Sequence, residues 1–124
     1  SSILVIDDNA DMLTLNKLVL EMDGFQVFTA QTGAEAFSLL SQIPEPSLIL
    51  VDLHMPDMSG LDFLDQLKDS SESCKDVPVV FHSGVDEAPL SRAAGFIRKP
   101  CGMRELAHKV RAFIDLNQAP PLLH

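Results

Sequence analysis

The 124-residue chain is 46% hydrophobic and 22% charged, the balance of a globular domain with enough length for one buried core. Eighteen acidic against nine basic residues leave a net charge of −9, which repels phosphate backbones and argues against direct nucleic-acid binding. No apolar run approaches the roughly 18 residues of a membrane span, and no basic-then-apolar leader opens the chain, so neither membrane insertion nor secretion is expected. Cys74 and Cys101 form neither a disulfide framework nor a metal-ligand pair, which points to a reducing, cytoplasmic setting. The Ser1-Ser2 start without an initiator Met suggests an excised or tagged segment.

Strand and helix signals alternate throughout. Ile3 to Ile6 is a short apolar, mostly β-branched run, as expected of a strand buried on both faces. It stops at Asp7-Asp8-Asn9, after which Met12, Leu15, Val19 and Met22 share one helical stripe that Gly24 ends. Gln26 to Ala30 reads as a second strand. Thr32 then starts a helix with Glu35 three residues on as a capping box, and Ala36, Leu40 and Ile43 face inward until Pro44 and Pro46 break it. Ser47 to Val51 is a third strand ending at Asp52. Ser59 caps a helix with Leu61, Leu64 and Leu67 at inward spacing, and Asp69 to Asp76 reads as a polar loop. Val77 to Phe81 and Gly95 to Arg98 are the fourth and fifth strands. A last helix runs from about Gly102 to Asn117, with Met103, Leu106, Val110 and Phe113 along one face. This alternation predicts an α/β fold, a five-stranded parallel sheet with helices on both faces. The domain is expected to span residues 1–118, with 119–124 as a tail or the start of a linker.

In an open parallel sheet, ligands bind beyond the carboxyl ends of the strands. Asp7 and Asp8 follow the first strand, Asp52 the third, Ser83 the fourth and Lys99 the fifth. Taken singly, each has an ordinary explanation: Asp7, Asp8 and Asn9 as helix caps, Asp52 as a solvated strand-end acid, Ser83 as a turn former, Lys99 as a surface lysine. Their coincidence at four strand ends is what points to a site.

The ordered words Val5-Ile6-Asp7-Asp8, Leu50-Val51-Asp52-Leu53-His54-Met55-Pro56, Ser59-Gly60, Ser83-Gly84 and Lys99-Pro100 resemble the receiver domains of two-component response regulators over essentially the whole chain. The resemblance implies a flavodoxin-like, chemotaxis-regulator-like sheet of order 2-1-3-4-5 and a cis Lys99-Pro100 bond. It implies Asp52 as phosphoryl acceptor, and Asp7 and Asp8 as the acidic pair that holds Mg²⁺ (or Mn²⁺), with Asp8 the direct ligand. The His54 backbone carbonyl is a further implied ligand, Ser83 the switch hydroxyl, and Lys99 the lysine that pairs with the phosphoryl group. Phe96, three residues before Lys99, occupies the family's aromatic switch position. The implied function is a phosphorylation-dependent signalling switch, not a free-standing enzyme. Its implied partners are a histidine kinase or histidine phosphotransfer protein, and an output domain or effector protein; a homodimer is a further partner the family allows. The alternative is a receiver-fold interaction module that works without phosphorylation.

Electrostatics supports the same roles. Two carboxylates about 4 Å apart repel by roughly 4 kcal/mol at an effective dielectric near 20, so converging acids call for a cation, and hard oxygen donors favour Mg²⁺ over softer metals. An aspartyl-nucleophile phosphatase would want an acid two residues after Asp52, where His54 stands, and a flavin carrier would want a Ser/Thr/Gly-rich loop where Asp7-Asp8 stands. The sequence departs from the family between Ser83 and Lys99, which is short by about a turn and a half of helix. A shortened fourth helix, a stub from about Pro89 to Ala94, is expected there, altering the face that the family uses for output.

Overall fold

A computed structural model describes residues 1–70, 73–84 and 91–118. Strands β1 (Ser2–Ile6), β2 (Gln26–Ala30), β3 (Leu48–Val51), β4 (Val79–Ser83) and β5 (Gly95–Arg98) form one parallel sheet in the order β2-β1-β3-β4-β5. Helices α1 (Ala10–Met22), α2 (Gly33–Leu40), α3 (Gly60–Asp69) and α4 (Met103–Gln118) cover its two faces. This is the doubly wound order that the receiver-domain resemblance implies.

The apolar runs sort by strand alternation. Ile3, Val5, Leu48, Leu50, Val80 and Ile97 meet Leu13, Val19 and Leu20 of α1 and Leu106, Val110 and Ile114 of α4. Leu4, Ile6, Ile49, Val51, Val79 and Phe81 meet Ala36 of α2 and Phe63, Leu64 and Leu67 of α3. With helices on both faces, no position of β3 can stay polar, and all four of its residues are buried. The Phe37 and Phe63 rings pack with centroids 4.7 Å apart inside the second layer.

Several local expectations shift. The buried stripe of α1 is Leu13, Asn16, Val19 and Leu20, whereas Leu15 and Met22 are exposed. Leucines at 13, 15, 18 and 20 permit more than one stripe, and packing against α4 selects between them. Strand β4 begins two residues later than expected. Pro78 has no N–H for the ladder and offers only its carbonyl, to Ile49 N at 2.9 Å, so paired strand starts at Val79 and Ser83 becomes its last residue. Helix α2 stops at Leu40, before Ile43. In the stretch read as a polar loop, Ser73–Asp76 forms a 3-10 turn. On α4, Met103 is exposed and Ile114 is buried in its place. Of the stub helix expected from about Pro89 to Ala94, only residues 89–90 lie outside the described residues. The described part, Ser91 to Ala94, is not helical, and Ala94 N donates to Val79 O at 2.8 Å to lead into β5. The expected tail at 119–124 also lies outside the described residues.

Candidate functional site

The two central strands place the first acids. Asp7 N donates to Ala30 O at 3.1 Å and Asp52 N donates to Ile6 O at 3.0 Å, so each aspartate continues its strand's ladder by one bond before the chain turns away. Asp7 is almost fully buried, Asp52 is half-buried and Asp8 is exposed. One carboxylate oxygen from each of the three lies within 4.8 Å of the others. Asn9 caps α1, its side chain accepting from Asp11 N at 3.0 Å and Met12 N at 3.1 Å, while Asp7 Oδ1 accepts from Asn9 N at 3.0 Å. The cap thus fixes the turn that carries Asp7 and Asp8.

Lys99 arrives from the opposite edge. Its N–H donates to Ser83 O at 2.8 Å, continuing the β4–β5 ladder, and its peptide bond to Pro100 is cis, as the sequence implied. The ammonium reaches both central strands, donating to Asp7 Oδ2 at 2.6 Å and Asp52 Oδ2 at 3.3 Å. Both bridges are largely shielded, with Lys99 19% exposed, Asp7 3% and Asp52 13%. A charge pair this dry costs desolvation and is weak evidence for stability. Its chemical content lies in the imbalance: three carboxylates face one ammonium, so the cluster keeps an excess of negative charge that suits a divalent cation. All of its donors are hard oxygens, the set Mg²⁺ prefers.

Ser83 is buried at the end of β4. Phe96 lies opposite Phe81 in the β4–β5 register and is partly buried against the α2–α3 layer. His54 is exposed, bridged to Ser59 across the loop between β3 and α3, and its N–H donates weakly to Asp52 Oδ1 at 3.3 Å. The structure therefore brings Asp7, Asp8, Asp52 and Lys99 together, with Ser83 and His54 on the adjoining strand end and loop. Phe96 stands off from the acids, on the far strand.

His82 is buried beside the cluster, and its Nε2 has no partner among the described residues. Burial, reinforced by the Lys99 charge, pulls its pKa down to about 4, so it is neutral at pH 7. Cys101 donates its S–H to Glu105 Oε1 at 3.1 Å; burial and that carboxylate push its pKa up to about 11, which makes it a poor nucleophile.

Two contacts that shape the site were not legible beforehand, although Gly60 stands in one of the words that carry the resemblance. Gly60 sits where any Cβ would lie 2.5 Å from the Asp52 carbonyl oxygen, so α3 can press against the end of β3 only with glycine there. Asp57 accepts from Gly33 N at 3.0 Å and Ala34 N at 2.9 Å, tying the β3–α3 loop to the start of α2. Nothing local in the sequence signals a contact spanning 24 residues; an aspartate after Met-Pro reads simply as a turn residue.

A doubly wound sheet with an acid cluster at the carboxyl ends of its central strands, met by a lysine from the end of its edge strand, defines a class of small signalling domains. The chain belongs to the response regulator receiver domain family, which matches residues 3–111. Among curated relatives, the transcriptional regulatory protein KdpE of Mycobacterium tuberculosis is 36% identical over 123 residues, covering 94% of this chain and 52% of that protein. The CAI-1 autoinducer sensor kinase/phosphatase CqsS of Vibrio cholerae is 31% identical over 119 residues, covering 90% of this chain and 17% of that protein. The chain thus spans about half, or less, of the curated relatives it matches. Among solved structures, the signal receiver domain of a signal transduction histidine kinase from Syntrophus aciditrophicus superposes with a TM-score of 0.81 at 26% identity, covering 99% of this chain and 96% of that one. The chemotaxis response regulator CheY4 of Vibrio cholerae shares the fold, with a TM-score of 0.83 at 22% identity over 91% of this chain and 98% of that one.

Proposed function

We propose that this receiver domain is a phosphorylation-dependent switch whose acceptor is Asp52. The observation that carries the reading is the Lys99 ammonium spanning Asp7 and Asp52, with Asp8 completing a three-acid cluster within 4.8 Å. An Asp52 carboxylate oxygen attacks the phosphorus of a phosphohistidine on a histidine kinase or phosphotransfer partner. The new O–P bond forms as the N–P bond breaks, and the imidazole leaves with a proton. Asp7, Asp8, Asp52 and the backbone carbonyl of His54 would hold Mg²⁺, with Mn²⁺ as an alternative ion. When bound, the metal neutralises charge on the oxygens of the transferring group. Lys99 contributes a fixed positive charge to the same oxygens.

The added group carries nearly two negative charges. Ser83, one strand over, supplies a hydroxyl that moves to meet it, and Phe96 packs further inward behind Ser83. The response is a population shift at the β4–β5 edge that an output domain or effector protein reads. Phenylalanine has no hydroxyl, so packing alone couples site to edge. A relative named as a sensor kinase and another named as a transcriptional regulator support placing this domain between a phosphodonor and an output. Among the described residues no helix is long and apolar enough to cross a membrane.

The test is intact-mass spectrometry after acetyl phosphate and Mg²⁺. The expected result is a gain of one phosphoryl group in the wild type and none in Asp52→Asn. No gain in the wild type would instead favour a receiver-fold interaction module.

A further inference from the structure

We propose that Asp57 is a positioning residue for the metal site: its carboxylate, held by two amides at the start of α2, fixes the loop whose His54 carbonyl completes the oxygen set. The inference rests on the metal-site reading above.

The loop Leu53–Ser59 leaves β3 at Asp52 and enters α3. Its base is fixed locally, by Gly60 N donating to Leu53 O at 2.8 Å and by the His54–Ser59 bridge. Its tip is fixed remotely. Asp57 Oδ1 takes the Gly33 amide at 3.0 Å and Oδ2 takes the Ala34 amide at 2.9 Å, a two-pronged grip on another element. The first amides of a helix have no acceptor within it. Thr32 Oγ1 meets only the third, from Glu35 at 3.0 Å, so the first two are left for the loop. Met58 lies alongside: a Cβ on residue 33 would come within 2.5 Å of its sulfur, so a glycine at the head of α2 lets the loop dock this closely.

The contact is built for geometry. Two bonds to adjacent amides fix both the position and the tilt of the carboxylate, which one bond cannot do. The Ala34 and Gly33 amides also hold the Asp57 carboxyl below the usual carboxylate range, so the grip persists across neutral pH and is released only in acid. With base and tip both pinned, the His54 carbonyl, at the base, has little freedom. Releasing the tip should therefore weaken metal binding without touching the acids.

Magnesium chloride is titrated calorimetrically into wild type, Asp57→Ala, Asp57→Asn and Thr32→Ala, and the rate of acetyl phosphate uptake is followed against Mg²⁺ concentration. Asp57→Ala is expected to raise the Mg²⁺ Kd about tenfold, the lower end for loss of an outer-sphere support. At saturating Mg²⁺ its rate should stay within about twofold of the wild type. Asp57→Asn should recover part of the affinity, because its amide oxygen still accepts one bond. Thr32→Ala removes a cap from the same helix end without touching the loop and should leave the Kd unchanged. An unchanged Kd in Asp57→Ala, or an equal rise in Thr32→Ala, would overturn the inference while leaving the metal site standing. A wild type that takes no Mg²⁺ would overturn both.

Discussion

The two flanks of the site are built differently. Asp7 and Asp52 stand on central strands, and β3 is buried at all four positions between two helical layers. Ser83 and Lys99 stand toward the sheet's edge, where β5 is buried only at Ile97. The turns on the acid flank are pinned by side chains, Asn9 onto α1 and Asp57 onto α2. On the other flank, Arg92 reaches Asp65 at 3.1 Å and Asp69 at 3.2 Å through bridges that are half exposed, which are worth little and weaken with salt. The contrast teaches a division of labour. On the proposed function, chemistry that needs fixed distances would sit where packing is over-determined, and a readout that needs two arrangements where it is not.

The sharpest way to break this comparison is to truncate an aromatic on each flank. Phe63 is fully buried beneath the acid flank against Phe37, so Phe63→Ala should cost about 3–5 kcal/mol in chemical denaturation. A loss under about 1 kcal/mol would mean that this layer is loosely packed after all. The next effect concerns pH. His82 is neutral in the folded state down to about pH 4, whereas the unfolded chain takes up its proton near 6.5. The unfolded state therefore binds more protons between those values, and stability falls as pH drops through that window, by roughly 3 kcal/mol from this group. His82→Leu should flatten the slope of unfolding free energy against pH between 6.5 and 4. An unchanged slope would show that His82 protonates freely in the fold.

Gly60→Ala should cost about 1–3 kcal/mol, since its Cβ would collide with backbone and not with a yielding side chain. It should also slow phosphoryl uptake about tenfold or more, by shifting the Asp52 carbonyl. Normal uptake in a destabilised variant would separate the packing of α3 from the chemistry. The smallest stability effect is expected from Phe96→Ala, about 1 kcal/mol, because the ring is only partly buried. Phosphoryl uptake should persist, while amide chemical-shift changes along β4 and β5 on phosphorylation shrink. Equal loss of uptake and of the shift changes would contradict the division between the flanks.

Much of this was legible in the sequence, for physical reasons. A strand covered on both faces must be apolar throughout, so Ile3 to Ile6 and Leu48 to Val51 announce themselves, and the acids that end such runs mark the edge of the sheet. Three kinds of information were not there. The phase of α1 is decided by what packs on it, since its leucines lie on more than one side. The start of β4 depends on a ladder bond that Pro78 cannot make. The Asp57 grip joins elements far apart in sequence, and only the fold brings its two ends together.

The central claim is that one carboxylate, that of Asp52, becomes the acyl phosphate. Borohydride reduction of the phosphorylated protein converts an aspartyl phosphate to homoserine, which tandem mass spectrometry of peptides locates to a single residue. The account expects homoserine at position 52, in a yield that collapses when Mg²⁺ is chelated before acetyl phosphate is added. Homoserine at position 7, 8 or 57, or equal labelling at 52 without the metal, would contradict it.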